Sequence, residues 1–285
     1  MNSKSVKIVG GMLGVAVAIS LSACGSSPSA DADGAEALPV VNKGDLTVCI
    51  SKNAYEPLYW NDSGDWQGFD LDSIRAIADE LDLKVELNVS AFDGLLPALL
   101  SGRCDVLRSG LYLNEERAEK TDAVPYLTTG PALIVEDGNP LNLTSAEDLS
   151  GVRVAVQGAS ANEQILRSLS EELEAAGKPG IELSVYPELP ETVAALQNGR
   201  VDATIETDVA AVQAAKTLGE GFEVADTIFP AETNFGMFLP KNSELTPTMI
   251  EAAKKLTDDG TFASFAEKYG LSPDRIVTPE LVTKP

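Results

Sequence analysis

The chain has 285 residues, 44% of them hydrophobic and 23% charged, an ordinary globular composition with apolar material for two lobes of roughly 100 residues each. A formal net charge of −23 opposes binding to nucleic acid and to anionic lipid headgroups, and suits a soluble body in an external medium. There is no histidine and there are only three cysteines, Cys24, Cys49 and Cys104, so the commonest general base and transition-metal ligand is missing and no cysteine-rich zinc site can form; no metal or cofactor is expected.

Met1 to Lys7 is short and positive, and Ile8 to Leu21 is mostly apolar, the two regions of a secretory signal and too short for a comfortable membrane span. Leu21-Ser22-Ala23-Cys24 follows and resembles the lipobox of bacterial lipoproteins, where cleavage precedes a cysteine whose sulfur carries diacylglycerol. Residues 1–23 therefore read as a signal peptide and Cys24 as a lipidation site that anchors the exported chain to the cell membrane. Residues 24–42, small, polar and acidic, read as the anchor and a flexible tether.

The body opens with a strand at Leu46–Ile50, an apolar run after Gly44-Asp45. Leu71, Ile74, Ile77 and Leu81 share one face of a helix over Asp70–Leu83, with Asp70 placed to cap it. Alternation over Leu83–Val89 gives a strand, Leu95–Leu100 a short helix, and Cys104–Leu107 a further strand. The series then repeats, with strands at Val152–Gln157 and Ile181–Tyr186, a helix from Ser160 with Glu163 completing a capping box, a helix over Thr192–Leu196, and a strand from Asp202. Leu99-Leu-Ser-Gly-Arg-Cys-Asp-Val106 echoes Leu196-Gln-Asn-Gly-Arg-Val-Asp-Ala203. A strand at Phe235–Leu239 and helices at Pro247–Leu256, capped by Thr246, and Thr261–Tyr269 belong to neither series and are expected back on the first lobe. Two chain crossings, near Leu127–Pro131 and near Phe229–Phe235, make a hinge and a closing cleft. The expected division is 43–129 plus 234–285 for one lobe and 130–233 for the other.

In open α/β sheets ligands bind beyond the carboxyl ends of the strands. Those ends place Lys52 and Tyr55, then Phe92, then Ser109, Gly110, Tyr112 and Arg117, and in the second lobe Gly158, Ala159, Ser160, Glu206, Thr207 and Asp208. Arginine offers a fork for a carboxylate, a helix N-terminus at Ser160 offers N–H groups and a hydroxyl to the same anion, aromatics sandwich an apolar or cationic body, and Glu206 and Asp208 offer negative charge to an ammonium. That is the chemistry of a receptor for a zwitterion.

Gly68-Phe-Asp-Leu-Asp72, Leu95-Leu-Pro-Ala-Leu-Leu-Ser-Gly102, Asn114-Glu-Glu-Arg117, Pro125-Tyr126, Asp148-Leu-Ser-Gly151, Ala155-Val-Gln-Gly158 and Asp259-Gly-Thr261, in this order and spacing, resemble the bacterial extracellular solute-binding proteins of family 3. The resemblance covers Lys43 to about Gly270. It implies a two-lobed α/β fold of the type II periplasmic-binding-protein kind, with two parallel-rich sheets and a two-strand hinge, acting as a monomer that hands a small zwitterionic solute such as an amino acid to the permease of an ABC importer. It also implies that Arg117 binds the solute's carboxylate, Tyr55 and Phe92 stack on its body, Ser109 and Gly110 add polar contacts, and Ser160 supplies a hydroxyl.

Three positions depart from the common amino-acid-binding pattern. Thr207 stands where a carboxylate for the α-ammonium is expected, Tyr112 stands where a small hydroxyl residue is expected, and Lys52 stands where binders of cationic amino acids carry an acid. The first points away from an ordinary α-amino acid, the second builds an aromatic cage suited to ectoine or a betaine, and the third argues against lysine or arginine. An alternative of another class is a cyclohexadienyl-dehydratase-like enzyme on the same fold, with Glu206 or Asp208 as the acid. Outside the site, Asp70 and Asp72 read as helix caps, Asp105 and Asp202 as anchors at strand starts, Tyr59 and Trp60 as packing or rim residues, and Cys49 and Cys104 as two small buried hydrophobes.

Overall fold

The computed structural model describes residues 38–229 and 233–282. The expected signal peptide, Cys24 and nearly all of the tether lie outside them.

The first lobe runs β1 (Asp45–Ser51), a hairpin of β2 (Trp60–Asp62) and β3 (Asp65–Gln67), α1 (Phe69–Glu80), β4 (Lys84–Ser90), a single helical turn at Phe92–Gly94, α2 (Leu95–Leu100), β5 (Val106–Leu107), α3 (Glu115–Lys120) and β6 (Thr121–Thr129). The second lobe runs β7 (Pro131–Glu136), β8 (Arg153–Gln157), α4 (Ala161–Ala175), β9 (Glu182–Tyr186), α5 (Leu189–Gln197), β10 (Ala203–Thr207), α6 (Asp208–Leu218) and β11 (Phe222–Ala225). The chain ends with β12 (Thr233–Pro240), α7 (Thr246–Asp258) and α8 (Thr261–Lys268). Sheet order is β4-β1-β5-β12-β6 in one lobe and β11-β7-β10-β8-β9 in the other. β4, β1 and β5 are parallel, as are β10, β8 and β9, while β12 and β7 run antiparallel to their neighbours. The helical spacing of Leu71, Ile74 and Ile77 buries all three beneath α1, against Met249 of α7 and Phe262 of α8, which is why the C-terminal helices return to the first lobe. The chain leaves the first sheet at Gly130, and returns to it with Thr233 of β12 paired to Thr129 of β6. The strand ends at the lobe boundary, Thr129 and Thr233, are therefore paired neighbours, the condition for a hinge.

The structure corrects several local expectations. Ser63 and Gly64 take positive φ and turn the β2–β3 hairpin, which apolar alternation alone did not reveal because its strands have three residues each. Asp70 does not cap α1. The helix starts behind Gly68, whose φ of 125° and approach to the Leu58 carbonyl exclude a side chain. The Asp70 carboxylate is instead 1% exposed, takes hydrogen bonds from the Gly110 amide (3.1 Å) and the Tyr126 hydroxyl (2.9 Å), and faces the buried guanidinium of Arg108 at 3.4 Å. Asp72 is no cap either; it accepts from Lys268 and Tyr269 of the C-terminal segment. Thr246 likewise donates its hydroxyl to Asp122 (2.7 Å) and accepts no amide of its own helix, so it is not the expected cap. Ser160 does cap α4, accepting the Glu163 amide at 3.1 Å, but the Glu163 carboxylate takes the amide of Ala159 (2.8 Å), one residue further back than a capping box requires. Asp105 and Asp202 are the anchors expected of them, the first accepting the amides of Val41 and Thr47 and the second the amide and guanidinium of Arg153. Cys49 of β1 and Cys104 beside β5 are not two separate hydrophobes but one disulfide, sealed among Leu95, Leu99 and Phe238.

Candidate functional site

The carboxyl ends of β1, β5, β8 and β10 meet across the cleft, and the cavity between them has a volume of about 40 Å³. That is room for only a few waters, so a solute reaches it when the lobes part. Tyr55, Phe92, Ser109, Gly110, Tyr112 and Arg117 line it from the first lobe, and Ser160 and Thr207 from the second, together with Glu206, Asn162, Gln157 and Tyr59. Gly110 has a φ of 59°, and a Cβ there would meet the Tyr55 ring at 2.8 Å, so glycine is what lets that ring lie over the loop. The Ser109 hydroxyl accepts the Ser51 amide (3.0 Å), fixing β5 to the end of β1. The Tyr55 ring stacks on Tyr59 with centroids 5.9 Å apart, and its hydroxyl meets the Thr207 hydroxyl at 2.9 Å across the cleft.

Arg117 is 6% exposed and stands at the first turn of α3, where Asn114 caps its amide. Its Nη1 donates to the Tyr112 carbonyl (2.7 Å), which orients the guanidinium. Burial pulls its pKa down to about 10, so it remains charged at neutral pH with no acidic side chain paired to it among the described residues. Glu206, 4% exposed on β10, is its counterpart. Burial pushes its pKa up to about 8, and among the described residues no basic side chain meets it. The hydroxyl of Ser160 is already engaged by the Gln157 carbonyl (2.6 Å) and by its capping bond, so what this turn presents to an anion is the free N–H groups that open α4. In this turn it is Ala159, not Gly158, that takes the left-handed conformation, with φ 60°.

Lys52 and Asp208 do not line the cavity. Lys52 reaches over its mouth to Glu188 (2.7 Å), which also accepts from Asn53 and caps α5. Half-exposed and paired, it is a contact between the lobes, not an element of the binding surface. Asp208 turns to the hinge side, where it takes the Thr129 hydroxyl (2.7 Å) and pairs with Arg275. The carboxyl group on the cavity thus belongs to Glu206, one residue before the position where a carboxylate is expected. Gln213–Glu56 (3.1 Å) and Asn114–Gln164 (3.2 Å) add further bonds between the lobes, which stand closed.

Comparison with known proteins agrees with this geometry. Residues 46–272 match the model of the bacterial extracellular solute-binding proteins, family 3. The L-cystine-binding protein TcyJ of Escherichia coli is 28% identical over 233 residues, covering 81% of this chain and 84% of that one. The arginine-binding extracellular protein ArtP of Bacillus subtilis is 26% identical over 260 residues, covering 90% and 95%. Among solved structures, an ancestral arginine-binding protein bound to arginine superposes with a TM-score of 0.72 at 31% identity, covering 80% of this chain and 98% of that one. An ancestral amino-acid-binding protein that is a precursor of cyclohexadienyl dehydratase gives 0.70 at 29% identity, covering 79% and 95%. With two α/β lobes, a paired-strand connection, an interlobe cavity holding a buried arginine, and a family match across nearly the whole described body, this chain belongs to the bacterial extracellular solute-binding proteins, family 3.

Proposed function

We propose that this protein is the extracytoplasmic receptor of an ABC importer and that it closes on one small zwitterion, an amino acid or a close analogue, as a monomer. The supporting observation is the pair of buried, unpartnered and opposite groups in one cavity. Among the described residues Arg117 has a charge with no anion, and Glu206 has a carboxyl kept neutral by burial. A solute carrying both a carboxylate and a cation satisfies the two at once, and its differential contacts favour the closed state. Cystine and arginine are what TcyJ and ArtP bind, and they set the first solutes to try.

The test is calorimetry of the purified protein with amino acids, ectoines and betaines at pH 6 to 9. In the unliganded protein Glu206 holds its proton below about pH 8, so docking a cation beside it lowers its pKa and expels that proton. The expected result is release of close to one proton per solute at pH 6.5, shown by comparing buffers of different ionisation enthalpy, with affinity rising by up to about tenfold per pH unit below 8 and levelling above. Glu206→Gln removes both effects. By the same linkage the unliganded protein is stabilised by this group at low pH and loses that stability as pH rises from about 5 through 8. Binding with no proton release would move the cation elsewhere, and binding of no zwitterion would end the receptor reading. A dehydratase using Glu206 as its acid is the competing reading, carried by the same raised carboxyl; solute recovered chemically unchanged after long incubation counts against it.

Anchoring is part of the proposal. Leu21-Ser22-Ala23-Cys24 supports lipidation, so labelled fatty acid should enter the expressed protein and should fail to enter Cys24→Ser, which is expected in the medium or periplasm.

A further inference from the structure

Arg108 is the largest fully buried side chain among the described residues, 1% exposed. It follows β5 directly, and the next two residues, Ser109 and Gly110, line the solute cavity, but Arg108 itself does not. Its guanidinium turns inward. The guanidinium carbon lies 3.7 Å from the centroid of the Tyr126 ring, Nη2 donates to the Ser73 hydroxyl (2.7 Å), and Nε stands 3.4 Å from the Asp70 carboxylate. Ser73 donates in turn to the Phe69 carbonyl (2.6 Å), which ties the cation to α1. The same Asp70 carboxylate accepts the Gly110 amide (3.1 Å) and the Tyr126 hydroxyl (2.9 Å). A line of contacts thus runs from a buried cation, through one carboxylate, to the backbone of the cavity wall.

Gly110 needs that hold. It stands at φ 59°, with Tyr55 and Leu58 so close that a Cβ would meet them at 2.8 and 2.9 Å. Glycine reaches this conformation without strain, yet it leaves it as easily, so a partner has to fix it. The partner of its amide is Asp70.

Stability is a poor account of Arg108. Taking two charges out of water offsets most of their attraction, and apolar pairs of similar volume are often as stable. What the pair supplies is a charged acceptor with a fixed direction. A carboxylate holds an N–H roughly twice as strongly as a neutral group does. Burial raises the Asp70 pKa even with Arg108 beside it, so without that cation the carboxyl would take up a proton and become the weaker acceptor.

We propose that Arg108 is a positioning residue of the solute site: paired with Asp70 behind the cavity wall, it holds the Gly110 loop in its binding conformation, so that affinity depends on a charge the solute never touches. The solute half of the proposal rests on the receptor reading. The loop half is measured without solute.

Two readings are taken on the purified protein. The first is hydrogen exchange at the Gly110 amide, followed by NMR without solute, with the amides of β1 and β6 as the reference for the fold. The second is calorimetric titration with L-cystine, L-arginine, L-glutamine and ectoine. Arg108→Met is expected to speed exchange at Gly110 by about tenfold or more relative to the reference amides, and to weaken whichever probe binds by about tenfold. Arg108→Lys keeps the cation and should stay within about threefold of the parent in both readings. Arg108→Met also leaves a buried carboxyl without its cation and is expected to melt lower. The triple variant Asp70→Leu, Arg108→Met, Tyr126→Phe removes that cost and leaves the Gly110 amide as the donor without an acceptor. It should melt close to the parent and still show both defects. Recovery of Gly110 exchange and of affinity along with the melting temperature would make the pair merely structural and overturn the proposal. So would unchanged exchange at Gly110 in Arg108→Met, or an Arg108→Lys variant as defective as Arg108→Met. Whether or not the triple variant folds, the contrast between Met and Lys at this position decides. If no probe binds the parent, the solute half falls with the receptor reading, while exchange still decides whether Arg108 holds the loop.

Discussion

Replacing Arg117 with methionine is expected to weaken binding of the protein's own solute by about two to three orders of magnitude, while the unliganded protein melts no lower than before. The two halves of this result have one cause. Arg117 is 6% exposed with no acidic partner among the described residues, and burial has already moved its pKa down to about 10. Its charge is therefore an unfavourable feature of the empty protein, and it becomes favourable only when an anion arrives. Removing one side of a buried, hydrogen-bonded charge pair costs about 2–5 kcal/mol, which is roughly 30- to 4,000-fold in affinity. Methionine keeps most of the volume and leaves only the Tyr112 carbonyl short of a donor, a small loss beside relief of the buried charge. Calorimetry and a melting curve on the same sample decide the matter. A variant that melts far lower would make Arg117 a structural residue, and one that binds normally would place the solute's anion elsewhere in the cleft.

Joint replacement of Cys49 and Cys104 by alanine is expected to lower stability by about 4 kcal/mol, read as a fall of roughly 10 °C in melting temperature, with solute affinity unchanged. The bridge closes a loop spanning 55 residues, which includes α1, β4 and α2, and the entropy it withholds from the unfolded chain sets that figure. Alanine is the right substitution because the site is apolar, among Leu95, Leu99, Leu107 and Phe238, and serine would bury two unbonded hydroxyls. Neither cysteine lines the cavity, so binding is expected to survive. Equal melting temperatures for the two proteins would show that the bridge does not hold the native state together. The same bond bears on where the protein works, since disulfides persist in oxidising compartments outside the cytoplasm.

How much of this was legible beforehand varies with the distance over which each feature is decided. The alternation of strand and helix in the two repeated series followed from periodicity, because the 3.6-residue recurrence of Leu71, Ile74 and Ile77 and the twofold alternation through β4 and β9 are local consequences of backbone geometry, whereas β6, β7, α3, α6 and β11 were not foreseen. The stretch from Ser109 to Arg117 was legible as one side of a cleft, because strand ends in such sheets have a definite place and the family motif marks them. Asp70 was not. A carboxylate two residues inside a helix start looks like a cap, and only the approach of Arg108, Tyr126 and the Gly110 amide, 38 to 56 positions away, turns it into the support beneath the binding loop.

The three adjacent residues Glu206, Thr207 and Asp208 show where the division falls. By itself the sequence determined that negative charge and hydroxyl stand together at the end of the second lobe's central strand, opposite an arginine. It could not determine which carboxylate enters the cavity. Every residue of β10 is buried, so alternation between core and solvent offers no guide there. The tertiary structure decided it. Asp208 begins α6 with its amide on the Gly130 carbonyl, and its carboxylate is drawn to Thr129 and Arg275 at the hinge. Thr207 is engaged by the Ala210 amide and Tyr55, and Glu206 is left in the cavity without a basic partner among the described residues. Lys52 was settled in the same way, by a Glu188 far along the chain that meets it only when the lobes close. Local spacing determines elements because backbone periodicity is local, whereas the direction of a charged side chain depends on which opposite charge the folded chain brings within reach.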